Sequence, residues 1–208
     1  MDSRKANNLS LILNLNLLPE LKTEIIRKAI HFLIALTPSM AAINRPFTVS
    51  FLIAGTLGYT YMESLRLSGV KVPLISSLTS MASRPRDIGH FVMGPVTLGL
   101  GTLLALLLYP SPAAAIAIYA LAFGDGFAGL VGKFLGKYKP AILCGKSVEG
   151  SLACFAAVLF SACGVSQSFS VALIAALTAM TIEAFPLDDF DNLVLPVSVG
   201  LVVQFALL

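Results

Sequence analysis

Apolar residues fall in long blocks along this chain, and polar residues collect between them. A helix that crosses a bilayer needs about 20 mainly apolar residues, because each residue rises 1.5 Å through a hydrocarbon core roughly 30 Å thick. Seven segments approach that length: 25–43, 46–63, 91–109, 113–131, 148–165, 169–185 and 192–208. Turn chemistry separates them. Asn44-Arg45-Pro46, Pro110-Ser111-Pro112 and 164–168 make short links, and 64–90 and 132–147 make longer polar loops. The pattern predicts an all-α, polytopic transmembrane helical bundle of about seven spans, a single membrane domain over residues 25–208. Ahead of it, residues 1–24 form an N-terminal segment. Its apolar run, 9–18, is broken by Asn14 and Asn16 and has no small-residue cleavage site, so it reads as an interfacial helix rather than a signal peptide.

Composition agrees with a membrane solvent. The 208 residues are 57% hydrophobic and 12% charged, about half the charge of a soluble domain, roughly 25%. Mean hydropathy is +0.87. Cys144, Cys154 and Cys163 are odd in number and unevenly spaced, which argues against a disulfide framework or a zinc site and for packing roles.

Charge sets an orientation. With the first span starting in the cytoplasm, 13 of the 14 lysines and arginines fall on the cytoplasmic side and only Arg45 falls outside, as the positive-inside rule requires. That rule does not count acids, yet all 11 of them lie on the same side, together with His31 and His90. Topology needs only the basic residues. The co-located carboxylates therefore mark the cytoplasmic face as the place for chemistry, against the plainer reading that charges simply occupy the longer loops.

Two motifs resemble nucleotide-binding signatures and fail on context. Gly124-Asp125-Gly126-Phe127-Ala128-Gly129 fits G-x-G-x-x-G, but that pattern works between a strand and a helix, and here it lies inside an apolar helix. Its glycines are better read as small residues that let helix backbones, or a phosphate, approach closely. Gly145-Lys146-Ser147 ends like a P-loop, but the required first glycine falls on Pro140.

The candidate site residues fall into four groups. Asp125 lies nearest the membrane interior of all the acids, where an ionisable group is costly and by default functional; the alternative is a helix-end carboxylate paired to Lys133. Lys133, Lys137 and Lys146, with Ser147 and Glu149, lie on a glycine-punctuated loop that leads into a helix start. Lysines and free backbone N–H groups favour a phosphate there, or more blandly a lipid headgroup. Arg27, Lys28 and His31 share one face of the first helix and could clamp a phosphate together; the first two alone also suit topology anchors, whereas anchoring does not explain His31, a turn deeper. Glu63 and Arg66 repeat the arrangement as an i,i+3 pair. Finally, Glu183 and Asp191 flank the last cytoplasmic turn, and hard oxygen ligands of this kind suit Mg²⁺ with Asp125 supplying a further carboxylate. Asp188 and Asp189 between them fit a solvated acidic loop equally well.

Taken together, Arg27-Lys28-x-x-His31, Phe123-Gly124-Asp125 running into Gly132-Lys133 and Gly136-Lys137, Gly145-Lys146-Ser147-x-Glu149-Gly150-Ser151, and Glu183 with Asp191-Asn192 resemble the CTP-dependent membrane lipid kinases. That family includes dolichol kinase, phytol kinase and the CTP-dependent diacylglycerol kinase. The resemblance runs from about residue 25 to the end; Gly126 stands where the family often has alanine. It implies transfer of the γ-phosphoryl group of CTP to a lipid alcohol such as a polyprenol, a phytol-like alcohol or diacylglycerol. The residues alone imply only a phosphate-handling site.

The expectation is thus an integral, multi-pass membrane enzyme with CTP, a lipid alcohol and the bilayer as partners and no nucleic acid. Mg²⁺ would be held by Asp125 with Glu183 or Asp191, and Lys133, Lys137 and Lys146 would stabilise charge, with either Glu149 or His31 as base. A cytidylyltransferase that makes a CDP-lipid shares these requirements. A transporter is the rival from another class, but it would call for ionisable groups near the midplane and paired, interrupted helices, and neither is evident.

Overall fold

The computed structural model describes residues 21–83, 87 and 89–208; the expected interfacial helix at 9–18 lies outside the described residues. The regular structure of the described residues is all helical, with no strand among them. In chain order the helices are α1 (Leu21–Ile34), α2 (Thr37–Leu67), α3 (Pro73–Ala82), α4 (Gly94–Leu108), α5 (Ala113–Phe134), α6 (Val148–Ser166), α7 (Phe169–Glu183) and α8 (Asp191–Ala206). A single 3₁₀ turn, Asp188–Phe190, leads into α8.

Among the described residues each of the seven apolar blocks is mainly helical, but not every one is long enough to cross a bilayer. By length and composition three helices qualify, namely α5, α6 and α8 with its leading turn; α1 and α2, bent by 55° at the break between them, count as a fourth if taken as one span. α4 and α7 have 15 residues each, about 22 Å of helix, short of a hydrocarbon core of roughly 30 Å. Leu21 to Glu24 already belong to α1.

The first two blocks form a hairpin, as the Asn44-Arg45-Pro46 link predicts. Asn44 leaves the helical region (φ −153°, ψ 94°), and its Oδ1 accepts a hydrogen bond from Phe47 N at 3.0 Å, a local turn that competes with helix continuation. Pro46 follows, with no N–H to carry the ladder across. The contacts record the reversal. His31 approaches Asp125, Arg45 donates to the carbonyl of Leu106 near the end of α4, and Glu63 returns to accept from Val92 N just ahead of the start of α4.

α5 forms the centre, packed against α4, α6, α7 and α8. Ile116, Ala117, Ile118, Ala120, Leu121 and Ala122 have no solvent exposure. Around it, small residues set the spacing. On α7, Ala172, Ala175, Ala176 and Ala179 recur at intervals of three, one and three, which places them on one fully buried face. Glycine serves the same purpose where two backbones meet: a Cβ on Gly101 of α4 would overlap the backbone oxygen of Asn192 and lie 3.2 Å from Pro196 Cγ, both on α8. Backbone cannot move aside as a flexible side chain can. Gly101→Ala is therefore expected to destabilise the fold by about 1–3 kcal/mol, read as a lowered unfolding midpoint in detergent. Gly58→Ala, whose new methyl meets open space, serves as the control and leaves the midpoint unchanged or raises it.

Candidate active site

Four ionisable side chains on α1, Glu24, Arg27, Lys28 and His31, are spaced by three, one and three residues and so form one stripe. The stripe faces α5. Lys28 Nζ lies 2.6 Å from Asp125 Oδ2, and His31 Nδ1 lies 2.9 Å from the same oxygen. Lys28 is only 2% exposed, far too buried for a topology anchor. Packing explains how the stripe gets so close. Phe32 sits against the faces of Phe123 and Phe127, with ring centroids 6.1 and 5.1 Å away, and it also fills the space over Gly126. One turn further along, Gly129 leaves room for the Lys28 stem: a Cβ there would overlap Lys28 Cε and come within 2.9 Å of Nζ.

Asp125 itself ends a stretch of π-helix, Ala120–Asp125, inside α5. Such widened turns insert a residue into the helical register and occur often at functional sites. Across from it, Asp125, Glu183 and Asp191 come from three helices, and each offers a carboxylate oxygen within 4.8 Å of the others. Lys146 reaches this group from the loop before α6, with Nζ 2.9 Å from Glu183 Oε1 and a second bond to the Glu183 backbone carbonyl. The other oxygen, Glu183 Oε2, is buried without a hydrogen-bond partner among the described residues. Three carboxylates against two ammonium groups, Lys28 and Lys146, leave a formal charge of about −1, with oxygen ligands directed together. That donor set suits a hard divalent cation such as Mg²⁺.

Two cavities meet at this cluster. The first, about 350 Å³, has a mainly apolar wall that includes Ile30, Leu33, Val92, Pro95 and Leu98. The second, about 360 Å³, is polar and basic, lined by Lys133, Lys139, Lys146 and Ser147 with the glycines 129, 132, 145 and 150. Arg27, Lys28, Asp125 and Asp191 belong to both walls, so the chambers share a charged junction. Ser147 opens α6 as its N-cap, its Oγ accepting from Gly150 N at 3.1 Å. The start of that helix thus borders the basic chamber, where its dipole favours an anion.

The comparisons with known proteins come back empty. No protein-family model matches the chain, and no curated protein or solved structure does either. The functional reading rests on the residues and their geometry.

Among the residues singled out from sequence, Arg27, Lys28, His31, Asp125, Lys133, Lys146, Ser147, Glu183 and Asp191 all line one or both chambers. Lys137 and Glu149 line neither. The carboxylate of Glu149 accepts from the backbone N–H groups of Lys137 and Tyr138 at 3.1 and 3.2 Å, so it holds the loop ahead of α6 and does not face the junction. Lys133 reaches toward Glu24 rather than Asp125, with its Nζ 3.9 Å from Glu24 Oε2. Glu63 and Arg66 pair at 2.7 Å; Glu63 also accepts from Val92 N at 3.0 Å, which fixes part of the apolar wall. From the sequence, Glu24 has no place in the site, Lys139 counts only as one of four loop lysines, and Asn192 enters only with Asp191 in the family resemblance. Glu24 was legible as the residue one turn before Lys28 on the same helix face. It accepts from Arg27 at 2.8 Å and so holds a guanidinium at the junction.

Proposed function

We propose that this chain is a multi-pass membrane enzyme that transfers the γ-phosphoryl group of CTP to a lipid alcohol, with the active face cytoplasmic. The observation that carries the reading is the pair of chambers joined at Asp125: one basic and glycine-lined, suited to a nucleoside triphosphate, the other apolar and suited to a lipid chain. Phosphoryl transfer asks mainly for positioning and charge stabilisation at such a junction. CTP as the donor rests on the resemblance carried by the lysine and glycine elements.

Lys146, Lys133 and Lys139 would offset phosphate charge from the basic wall, and the N-terminal turn of α6 would contribute backbone N–H groups. Asp125, Glu183 and Asp191 would hold Mg²⁺, whose charge offsets that of the triphosphate when bound. His31 is the preferred base. Its Nδ1 faces Asp125, which orients the ring, and its side chain belongs to the apolar wall where the alcohol would enter. The hydroxyl oxygen bonds to the γ-phosphorus, its proton passes to Nε2 of His31, and the bond from the γ-phosphorus to the bridging oxygen breaks to release CDP. Glu149, occupied with loop N–H groups, is left out of this role.

A CDP-lipid-forming enzyme would need a phosphorylated lipid in the apolar chamber. Its product would carry none of the γ-label, which leaves with pyrophosphate. The test incubates purified protein with γ-labelled CTP or ATP and phytol, a polyprenol or dioleoylglycerol. Label from CTP is expected in at least one lipid. Label in none, from either nucleotide, removes the kinase reading; label from ATP alone keeps the reaction class and replaces the donor.

A further inference from the structure

One buried amide in the apolar chamber has a role that neither packing nor the charged cluster uses. Asn192, in the first turn of α8, is 4% exposed and belongs to the chamber wall. Its Nδ2 donates to Thr97 Oγ1 at 3.0 Å and points toward the carbonyl of Gly94 at 3.4 Å. These partners fix which way the amide faces. A carbonyl oxygen can only accept, and Thr97 Oγ1 spends its own hydrogen on the backbone carbonyls of its helix, Gly94 O at 3.0 Å being the nearer. The nitrogen must therefore face α4. Asn192 Oδ1, on the other side of the amide, is buried and has no hydrogen-bond partner among the described residues.

An unpartnered buried acceptor carries a desolvation cost that a ligand bearing a donor recovers. We propose that Asn192 Oδ1 is the headgroup-recognition atom of the apolar chamber and accepts a hydrogen bond from the hydroxyl of a neutral, single-headed lipid alcohol. The chemistry selects the donor class. A hydroxyl offers a hydrogen. An ether offers only a lone pair, a hydrocarbon offers neither, and an ionised phosphate monoester presents acceptor oxygens to an acceptor. The amide also lies next to the reacting centre, since the Asn192 backbone N–H donates to Asp191 Oδ1 at 2.8 Å. Recognition of the hydroxyl would thus occur beside the carboxylate cluster, on its apolar side, because Asn192 is part of the apolar wall and not of the basic one. The inference builds on the acceptor chamber of the proposed kinase, yet it concerns binding and is read without nucleotide.

Binding of four probes of equal chain to the full-length protein in detergent tests it by native mass spectrometry: phytol, phytyl methyl ether, phytane and phytyl phosphate. Phytol is expected to bind about tenfold more tightly than each of the others, and Asn192→Leu is expected to bind phytol and phytane equally. Mn²⁺ binding, followed by electron paramagnetic resonance, is expected to be the same in both proteins. Phytyl methyl ether binding the wild-type protein as tightly as phytol would overturn the proposal without reference to any variant, so a misfolded Asn192→Leu leaves it testable. A comparable loss of Mn²⁺ in that variant would also overturn it, by making the amide oxygen a metal ligand. Selective phytol binding with no label transfer from CTP would retain this site and reject the kinase.

Discussion

Asp125→Asn is expected to lower phosphoryl transfer from CTP by about a thousandfold, the scale on which removal of a preorganised charge acts in such sites. Three functions meet on this one carboxylate. It closes the triad with Glu183 and Asp191, it lies 2.9 Å from His31 Nδ1, and it holds Lys28 at 2.6 Å. The amide keeps the shape and removes the charge, so Lys28, 2% exposed, loses its direct ion-pair partner. Breaking a buried pair from one side destabilises by about 3 kcal/mol or more, whereas replacing both partners with apolar residues is often neutral. Lys28→Met/Asp125→Leu is accordingly expected to melt near the wild-type temperature while remaining inactive. Recovery of activity in the double variant would mean that Asp125 serves only to neutralise Lys28. Label-transfer rates and thermal melts on the wild type, Asp125→Asn and the double variant distinguish these outcomes.

Gly129→Ala is expected to cost about a hundredfold in turnover, together with the stability that the buried Lys28–Asp125 pair contributes. The added methyl would overlap Lys28 Cε and come within 3.1 Å of Glu24 Oε1. Both are ends of flexible side chains, so the helices stay in place while the Lys28 ammonium is pushed off Asp125. The effect belongs to Lys28, which predicts a specific non-additivity: once Lys28→Ala has removed the stem, adding Gly129→Ala has no further effect on rate. Losses that simply multiply would mean that Gly129 acts through helix packing or direct contact with the nucleotide. Gly164→Ala, where the new methyl meets nothing, is the control and keeps full activity.

The glycines show how sequence and structure divide the explanation. Gly124, Gly126 and Gly129 read from the sequence as small residues that let helix backbones, or a phosphate, approach, but in the structure a side chain approaches each one, and a different one each time. Gly124 admits Val158 and Cys154 from α6, Gly126 admits the Phe32 ring, and Gly129 admits a charged side chain. Nothing in the spacing separates these cases. The loop lysines divide similarly. Lys137 and Lys139 are equivalent by composition, yet only Lys139 lines the basic chamber. The direction of a loop side chain follows from how the loop is pinned, here by Glu149 accepting from the N–H groups of Lys137 and Tyr138 and by Val148 N donating back to Tyr138 O at 3.0 Å.

From the sequence by itself follow the helical class, the hairpin at Asn44-Arg45-Pro46 and the α1 stripe Arg27, Lys28 and His31. Each depends on run length, proline and turn chemistry, or the 3.6-residue repeat, which are local properties of the chain. The tertiary structure alone decided that Asp125, Glu183 and Asp191 meet, that Lys146 joins Glu183, that two chambers share a junction, and that α4 and α7 are only 15 residues long. Those carboxylates sit on three helices brought together by alanine and glycine contacts. Contacts between distant helices depend on how side-chain volumes interlock, and no periodicity along one helix records the shape of its neighbour.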